Sequence, residues 1–120
     1  MSNSIVIGFE EAKTINWAAI GNGYDPVTDS TGNAYFENPC RMLYINNMTN
    51  AVLWVSDTGV VDKFSVAANT AMILDITTNK TVTQGCFLAE KTRIFVRARY
   101  AGVFPTSGDV DVTVIYGKDN

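Results

Sequence analysis

The chain has 120 residues, 13.1 kDa and a formal net charge of −3 with a pI near 4.7. That length predicts a single domain with one real core, and 47% hydrophobic residues exclude a disordered chain. No histidine is present, which removes the commonest general base and the commonest metal ligand, and with them any Ser-His or Cys-His nucleophile.

Val and Ile number 22 against 4 Leu, and 13 Thr add to the β-branched load. Such side chains lose rotamer freedom in helices and pack well on pleated surfaces, so the composition predicts an all-β fold. The acidic balance gives no field that attracts nucleic acid or an anionic membrane. Charged residues make up 18%, and the polar load falls on Thr and on 11 Asn, a neutral surface of the kind that protein interfaces tolerate.

The opening residues Met1 to Gly8 lack a basic region and hold three apolar residues before the glycine, so they do not read as a signal peptide. Ile5, Ile7 and Phe9 alternate with Val6 and Gly8 as a first strand, and a second candidate runs from about Lys13 to Ile20 with Ile15 and Trp17 in register. Residues 21–39 are rich in turn formers and predict a long polar loop. Its Tyr24, Tyr35 and Phe36 suggest an ordered contact arm, exposed for docking.

Beyond residue 40 the pattern is a meander. Arg41 to Asn46 alternates Leu43 and Ile45 against Met42 and Tyr44. Ala51 to Ser56 alternates Val52 and Trp54 against Leu53 and Val55. Asp57-Thr58-Gly59 turns into Val60 to Val66, and Ala71 to Ile76 places Met72, Leu74 and Ile76 on one face. A polar connection, Thr77 to Gly85, precedes a short strand or bulge at Cys86 to Ala89.

Arg93 to Tyr100 turns Ile94, Val96 and Ala98 inward, leaving Arg93, Arg97 and Arg99 outward around Phe95. The last strand, Val110 to Tyr116, alternates Val110, Val112 and Val114 with Asp111, Thr113 and Ile115. About eight strands without a helix, repeat or linker predict one antiparallel β-sandwich or jelly-roll-like domain over residues 1–120. The expected core is Val52, Trp54, Phe64, Leu74, Ile94, Val96, Val112 and Val114.

Chemistry-bearing motifs are few. Four scattered glutamates give no catalytic pair, and no Gly-rich phosphate cradle with its Lys is present, so a non-enzymatic role without a cofactor is expected. Asp25, Asp29, Thr31 and Asn33 have the oxygen chemistry of a calcium loop but also the residues of ordinary turns. Cys40 and Cys86 lie in no CxxC spacing and read as buried free thiols, with a disulfide the alternative. The sequons at Asn47 and Asn79 carry no weight without a secretory context.

The sharpest feature is the strand with three of the four arginines. Residues two apart on a strand sit about 7 Å apart on one face, so Arg97 and Arg99 can form a ladder. Guanidinium forks would suit an acidic partner, whereas a solvated face would pair with neighbours such as Asp109 and Asp111.

The segment Asn50-Ala51-Val52-Leu53-Trp54-Val55-Ser56-Asp57-Thr58-Gly59-Val60-Val61-Asp62-Lys63-Phe64, continuing through Val66 to Leu74-Asp75 and Asn79, resembles small virion proteins of tailed bacteriophages. In those proteins a hairpin with an Asp-Gly turn and a returning Val-x-Asp-x-Phe precedes an apolar strand ending in Leu-Asp. Gly85-Cys86-Phe87 and Pro105-Thr106-Ser107-Gly108 also fit the pattern, whereas Asp57-Thr58-Gly59 departs from the direct Asp-Gly turn.

The resemblance spans about residues 40 to 117. It implies a β-sandwich virion subunit, present in many copies at the neck, collar or tail, or decorating the capsid. Its partners would be portal, tail or capsid proteins and copies of itself, with no membrane and no direct nucleic-acid role. The alternative is a small module gripping carbohydrate or calcium through Tyr24, Tyr35, Phe36, Asp25 and Asp29. For a ring, the loop at 21–39 and the strand carrying Arg93, Phe95, Arg97 and Arg99 are the two candidate patches.

Overall fold

A computed structural model describes residues 5–75 and 88–119. Expectations for Ile76, the connection 77–85, Cys86, Phe87 and the sequon at Asn79 lie outside these residues. The chain forms two antiparallel sheets. Among the described residues nine strands run in order: β1 (Ile5–Phe9), β2 (Lys13–Asn16), β3 (Asp25–Pro26), β4 (Met42–Asn47), β5 (Leu53–Ser56), β6 (Phe64–Val66), β7 (Thr70–Asp75), β8 (Phe95–Ala98) and β9 (Asp109–Asp119).

The larger sheet has the order β1-β9-β4-β7, and the smaller β3-β8-β5-β6. The 11-residue β9 organises the larger sheet. One edge pairs with β2 through Val112↔Lys13 and with β1 through Ile115↔Phe9, so the first two strands lie end to end along it. The other edge pairs with β4, Val112 opposite Ile45 and Val114 opposite Leu43. This is an all-β sandwich, as the β-branched composition predicts.

Alternation decides what the sheets enclose. Leu43 and Ile45 on β4, Val110, Val112 and Val114 on β9, and Ile94, Val96 and Ala98 at β8 are all buried. Leu74, Met72 and Phe64 pack at the margin of this core. The hairpin at 51–56 faces the opposite way from the expectation: Leu53 and Val55 are buried, and Val52 and Trp54 are half-buried on the outer side. Both of its faces are apolar, so alternation alone carries no inward direction.

Strand boundaries also differ. The second strand ends at Asn16, whose side chain caps a short 3-10 turn at Trp17–Ala19 by accepting from Ala18 N at 3.1 Å. Residues 57–63 form an extended turn ahead of β6 because hydroxyls take up the backbone N–H groups of residues 58–61, and backbone pairing resumes with Lys63 N donating to Val55 O at 3.1 Å. Ser56 Oγ accepts from Thr58 N and Gly59 N at 3.1 Å, and Thr58 Oγ1 from Val60 N and Val61 N at 3.2 Å. Gly59 closes the turn at φ +75°, with the Phe95 ring 3.3 Å from where a Cβ would sit.

Two buried polar clusters tie loops to sheets. Lys13 points inward because its register partner is Val112. It is 2% exposed and lies 3.4 Å from Glu10. Glu10 in turn accepts from Glu37 N (3.2 Å), Asn38 N (2.8 Å) and Asn38 Nδ2 (3.0 Å). Asn47, 1% exposed, donates through Nδ2 to the carbonyls of Ala51 (3.0 Å), Ala67 (3.1 Å) and Val66 (3.3 Å). Its Oδ1 accepts from Thr49 N at 3.0 Å and Thr49 Oγ1 at 2.6 Å.

Candidate functional site: the outer face of the smaller sheet

The region 21–39 is stitched down, not a free arm. Thr14 and Thr28 exchange backbone hydrogen bonds at 2.8 and 3.1 Å, and Val27 N donates to Ile94 O at 3.0 Å. Phe36 N donates to Thr92 O (2.9 Å) and Phe36 O accepts from Lys91 N (2.8 Å). Those bonds swing the Phe36 ring into the core, where it is fully buried. Phe36 is therefore a core residue and not the exposed docking group expected. Tyr24 is half-buried and Tyr35 remains 43% exposed.

Asp29 closes a turn. Its Oδ1 accepts from Thr31 N (2.9 Å), Thr31 Oγ1 (2.7 Å) and Asn33 N (3.0 Å), and these bonds, led by the Thr31 hydroxyl, hold its carboxyl below the usual range. That committed oxygen is the signature of an Asx turn. Among the described residues no three acidic or cysteine side chains converge as a metal site.

Cys40 is buried, its thiol donating to Met42 O at 3.1 Å. Burial, opposed by a backbone hydrogen bond from Ile115, pushes its pKa up to about 12.

Arg93, Phe95, Arg97 and Arg99 share the outer face of the smaller sheet, as alternation predicts, but the Phe95 ring is buried against the Gly59 turn and is not the exposed contact group expected. The residues they meet there are another matter. Asp109 and Asp111 were the expected partners, but β9 belongs to the other sheet, so they lie across the sandwich. The partner is Asp62, supplied by the turn before β6. Arg97 donates to Asp62 Oδ1 from Nε (3.1 Å) and Nη2 (3.0 Å), and to Oδ2 from Nη2 (2.8 Å). Tyr24 OH also donates to Asp62 Oδ1. Tyr24, then Arg97, hold the Asp62 carboxyl below the usual range. Desolvation, then the bond to Asp62, raises Tyr24 to about 12.

Aromatic rings interleave the arginines. The Arg93 guanidinium lies 5.1 Å from the Tyr35 ring centroid and 4.9 Å from that of Phe95. Arg97 lies 5.3 Å from Tyr24. Arg99 lies 4.7 Å from Trp54 and 5.4 Å from Tyr100, and donates to Ser65 Oγ at 2.9 Å. Trp54 thus faces outward as the register partner of Arg97 and the platform for Arg99. Stacking fixes each guanidinium plane; Asp62 occupies the N–H edge of Arg97, whereas Arg93 and Arg99 meet no carboxylate among the described residues.

Cross-strand residues Trp54 and Ser65, and the loop residues Asp62 and Tyr100, belong to the site without having been singled out with the arginines. The signal available was the hairpin resemblance, which sets β5 and β6 as neighbours; the β5–β8 pairing leaves no mark in local sequence.

A recess of about 240 Å³ lies elsewhere, lined by Leu43, Phe64, Leu74, Leu88 and Ile94 with Asp57 and Lys63. Those two exposed charges pair with each other at 3.4 Å. No protein-family model, curated protein or solved structure matches this chain.

Proposed function

We propose that this chain is a non-enzymatic structural subunit of a tailed-phage virion, assembling in multiple copies at the neck, collar or tail with copies of itself and other virion proteins. The observation that carries this reading is the outer face of the smaller sheet. Arginine and aromatic side chains are the residues enriched where protein surfaces meet, and here they are held in order by one another.

The resemblance of the hairpin at 50–64 to small virion proteins supplies the context. Two features weigh against the module alternatives. Arginines already cover faces of Tyr24 and Tyr35 that a sugar would stack on, and Asp29 spends an oxygen on its own turn. For an enzyme, the recess offers only an ion pair whose charges satisfy each other.

Gradient sedimentation of a lysate from producing cells, followed by mass spectrometry of each fraction, tests the proposal. The chain is expected to travel with particles at a fixed stoichiometry to the other virion proteins. Recovery only at the top of the gradient, as a free small protein, would overturn it.

A further inference from the structure

We propose that copies of this chain stack front to back, the arginine–aromatic outer face of the smaller sheet in one copy seating on the acidic outer face of the larger sheet in the next. The inference rests on the reading of the chain as a multi-copy subunit and names its self-contact.

Among the described residues the two outer faces carry net charge of opposite sign. On the front, Arg97 is neutralised by Asp62. Among the described residues, Arg93 and Arg99 have no carboxylate partner. On the back, the strand register turns Asp109 and Asp111 of β9 and Asp75 of β7 outward. No lysine or arginine occupies an outward position of β2, β4 or β7.

Among the described residues the Asp109 carboxylate accepts only from Asn16 Nδ2, at 3.1 Å, and the Asp111 carboxylate has no hydrogen-bond or ion-pair partner. Desolvation, then the neighbouring Asp109, pushes the Asp111 carboxyl above its usual range. A half-covered carboxylate beside a second one is a place where an incoming guanidinium relieves a standing cost.

Apolar groups sit beside the charges on both faces. On the back, Tyr44 lies between Ile73 and Thr113 in the register, and Phe9 lies beside Ile115. Ile73 is 58% and Phe9 68% exposed. On the front the rings of Trp54, Tyr35 and Tyr100 flank the two uncompensated arginines.

Sign selects the geometry. Front against front opposes arginine to arginine, and back against back opposes aspartate to aspartate, so a two-fold dimer through either face is repelled. Front against back matches sign. Such a heterologous contact does not stop at two copies but continues into a ring or filament.

The test uses the purified full chain in sedimentation velocity with three samples: Arg99→Asp, Asp111→Arg and their equimolar mixture. The wild type is expected to assemble beyond a dimer, less so as salt rises. Each variant alone should need at least about tenfold more protein to assemble, as for loss of an interfacial charge pair. The mixture should recover, because the reversed front of one variant meets the reversed back of the other while their unreversed faces meet in turn.

Thermal melts check folding, and Arg93→Glu with Asp109→Lys replace any variant that melts below the assay temperature. Wild-type assembly by either single variant, or a mixture that stays dissociated, overturns the proposal. So does a wild type that is monomeric at every concentration. If that monomer nonetheless travels with particles, stacking falls and the virion reading stands, the arginine face then serving an acidic segment of another protein. Stacking by a chain absent from particles overturns the virion reading alone.

Discussion

Asn47 and Asp62 are both short polar side chains that gather hydrogen bonds from separate parts of the chain, yet they do different work. Asn47 is 1% exposed and serves three backbone carbonyls from inside the sandwich. Asp62, with its side chain 31% exposed, serves Arg97 and Tyr24 on an open face. Losing a partner in the interior leaves desolvated groups unsatisfied, whereas at the surface water replaces it. Polar order inside this sandwich therefore fixes loops to sheets, while equally ordered polar contacts outside hold a surface in shape.

The contrast should break hardest at Glu10. Glu10→Ala removes the carboxylate opposite Lys13 and the anchor for Glu37 N and Asn38 N, leaving a cation buried without its partner. A loss of about 3–5 kcal/mol is expected in urea unfolding, the usual penalty for breaking a buried pair from one side. Asn47→Ala comes next. It removes the donor to the carbonyls of Val66 and Ala67 and one of two donors to that of Ala51, and should cost about 2–3 kcal/mol. In the same titration, an unchanged denaturant slope would place the effect in the folded state.

The smallest effect falls on the surface member. Asp62→Asn should leave the unfolding midpoint near wild type while moving the titration of Tyr24. The hydroxyl is raised to about 12 by desolvation and by Asp62, so phenolate absorbance, referenced to Tyr24→Phe, should show it titrating earlier in the variant.

The pH signs follow from the directions. Asp62 is lowered, so its contribution is present above the ordinary carboxylate range and fades as pH falls through its folded value. Tyr24 is raised, so its contribution is present below the ordinary phenol range and fades as pH climbs through about 12. The cluster is whole across neutral pH and loosens at both ends.

How much of this is legible in sequence depends on the contrast between the two faces of each strand. In β9, Val110, Val112 and Val114 alternate with polar or charged Asp111 and Thr113, and in β8 Val96 alternates with Phe95 and Arg97 across a charged row; both orient correctly. Val52 to Val55 is apolar on both faces, and it is the register with Arg97 and the guanidinium of Arg99 that turn Trp54 outward. Phe36 misleads for a related reason. Its neighbours are turn formers, but its burial is set by hydrogen bonds to Lys91 and Thr92, far along the chain.

Lys13 is the least legible: a lysine facing inward follows from the β2–β9 register and Glu10, neither of which composition reports. The arginine row is legible as a row, but Asp109 and Asp111, which alternation offers as cross-strand neighbours, are not its partners. The chain crosses to the other sheet between β8 and β9, which turns expected partners into an opposite face.

Arginine-selective labelling with phenylglyoxal, read by mass spectrometry on the dilute chain and on the native assembly, asks most directly whether the outer face of the smaller sheet is an interface. Arg93 and Arg99 should react in the dilute chain and be protected in the assembly. Equal reaction of both residues in the two samples would mean that this face stays in solvent, and the reading of it as a contact surface would be wrong.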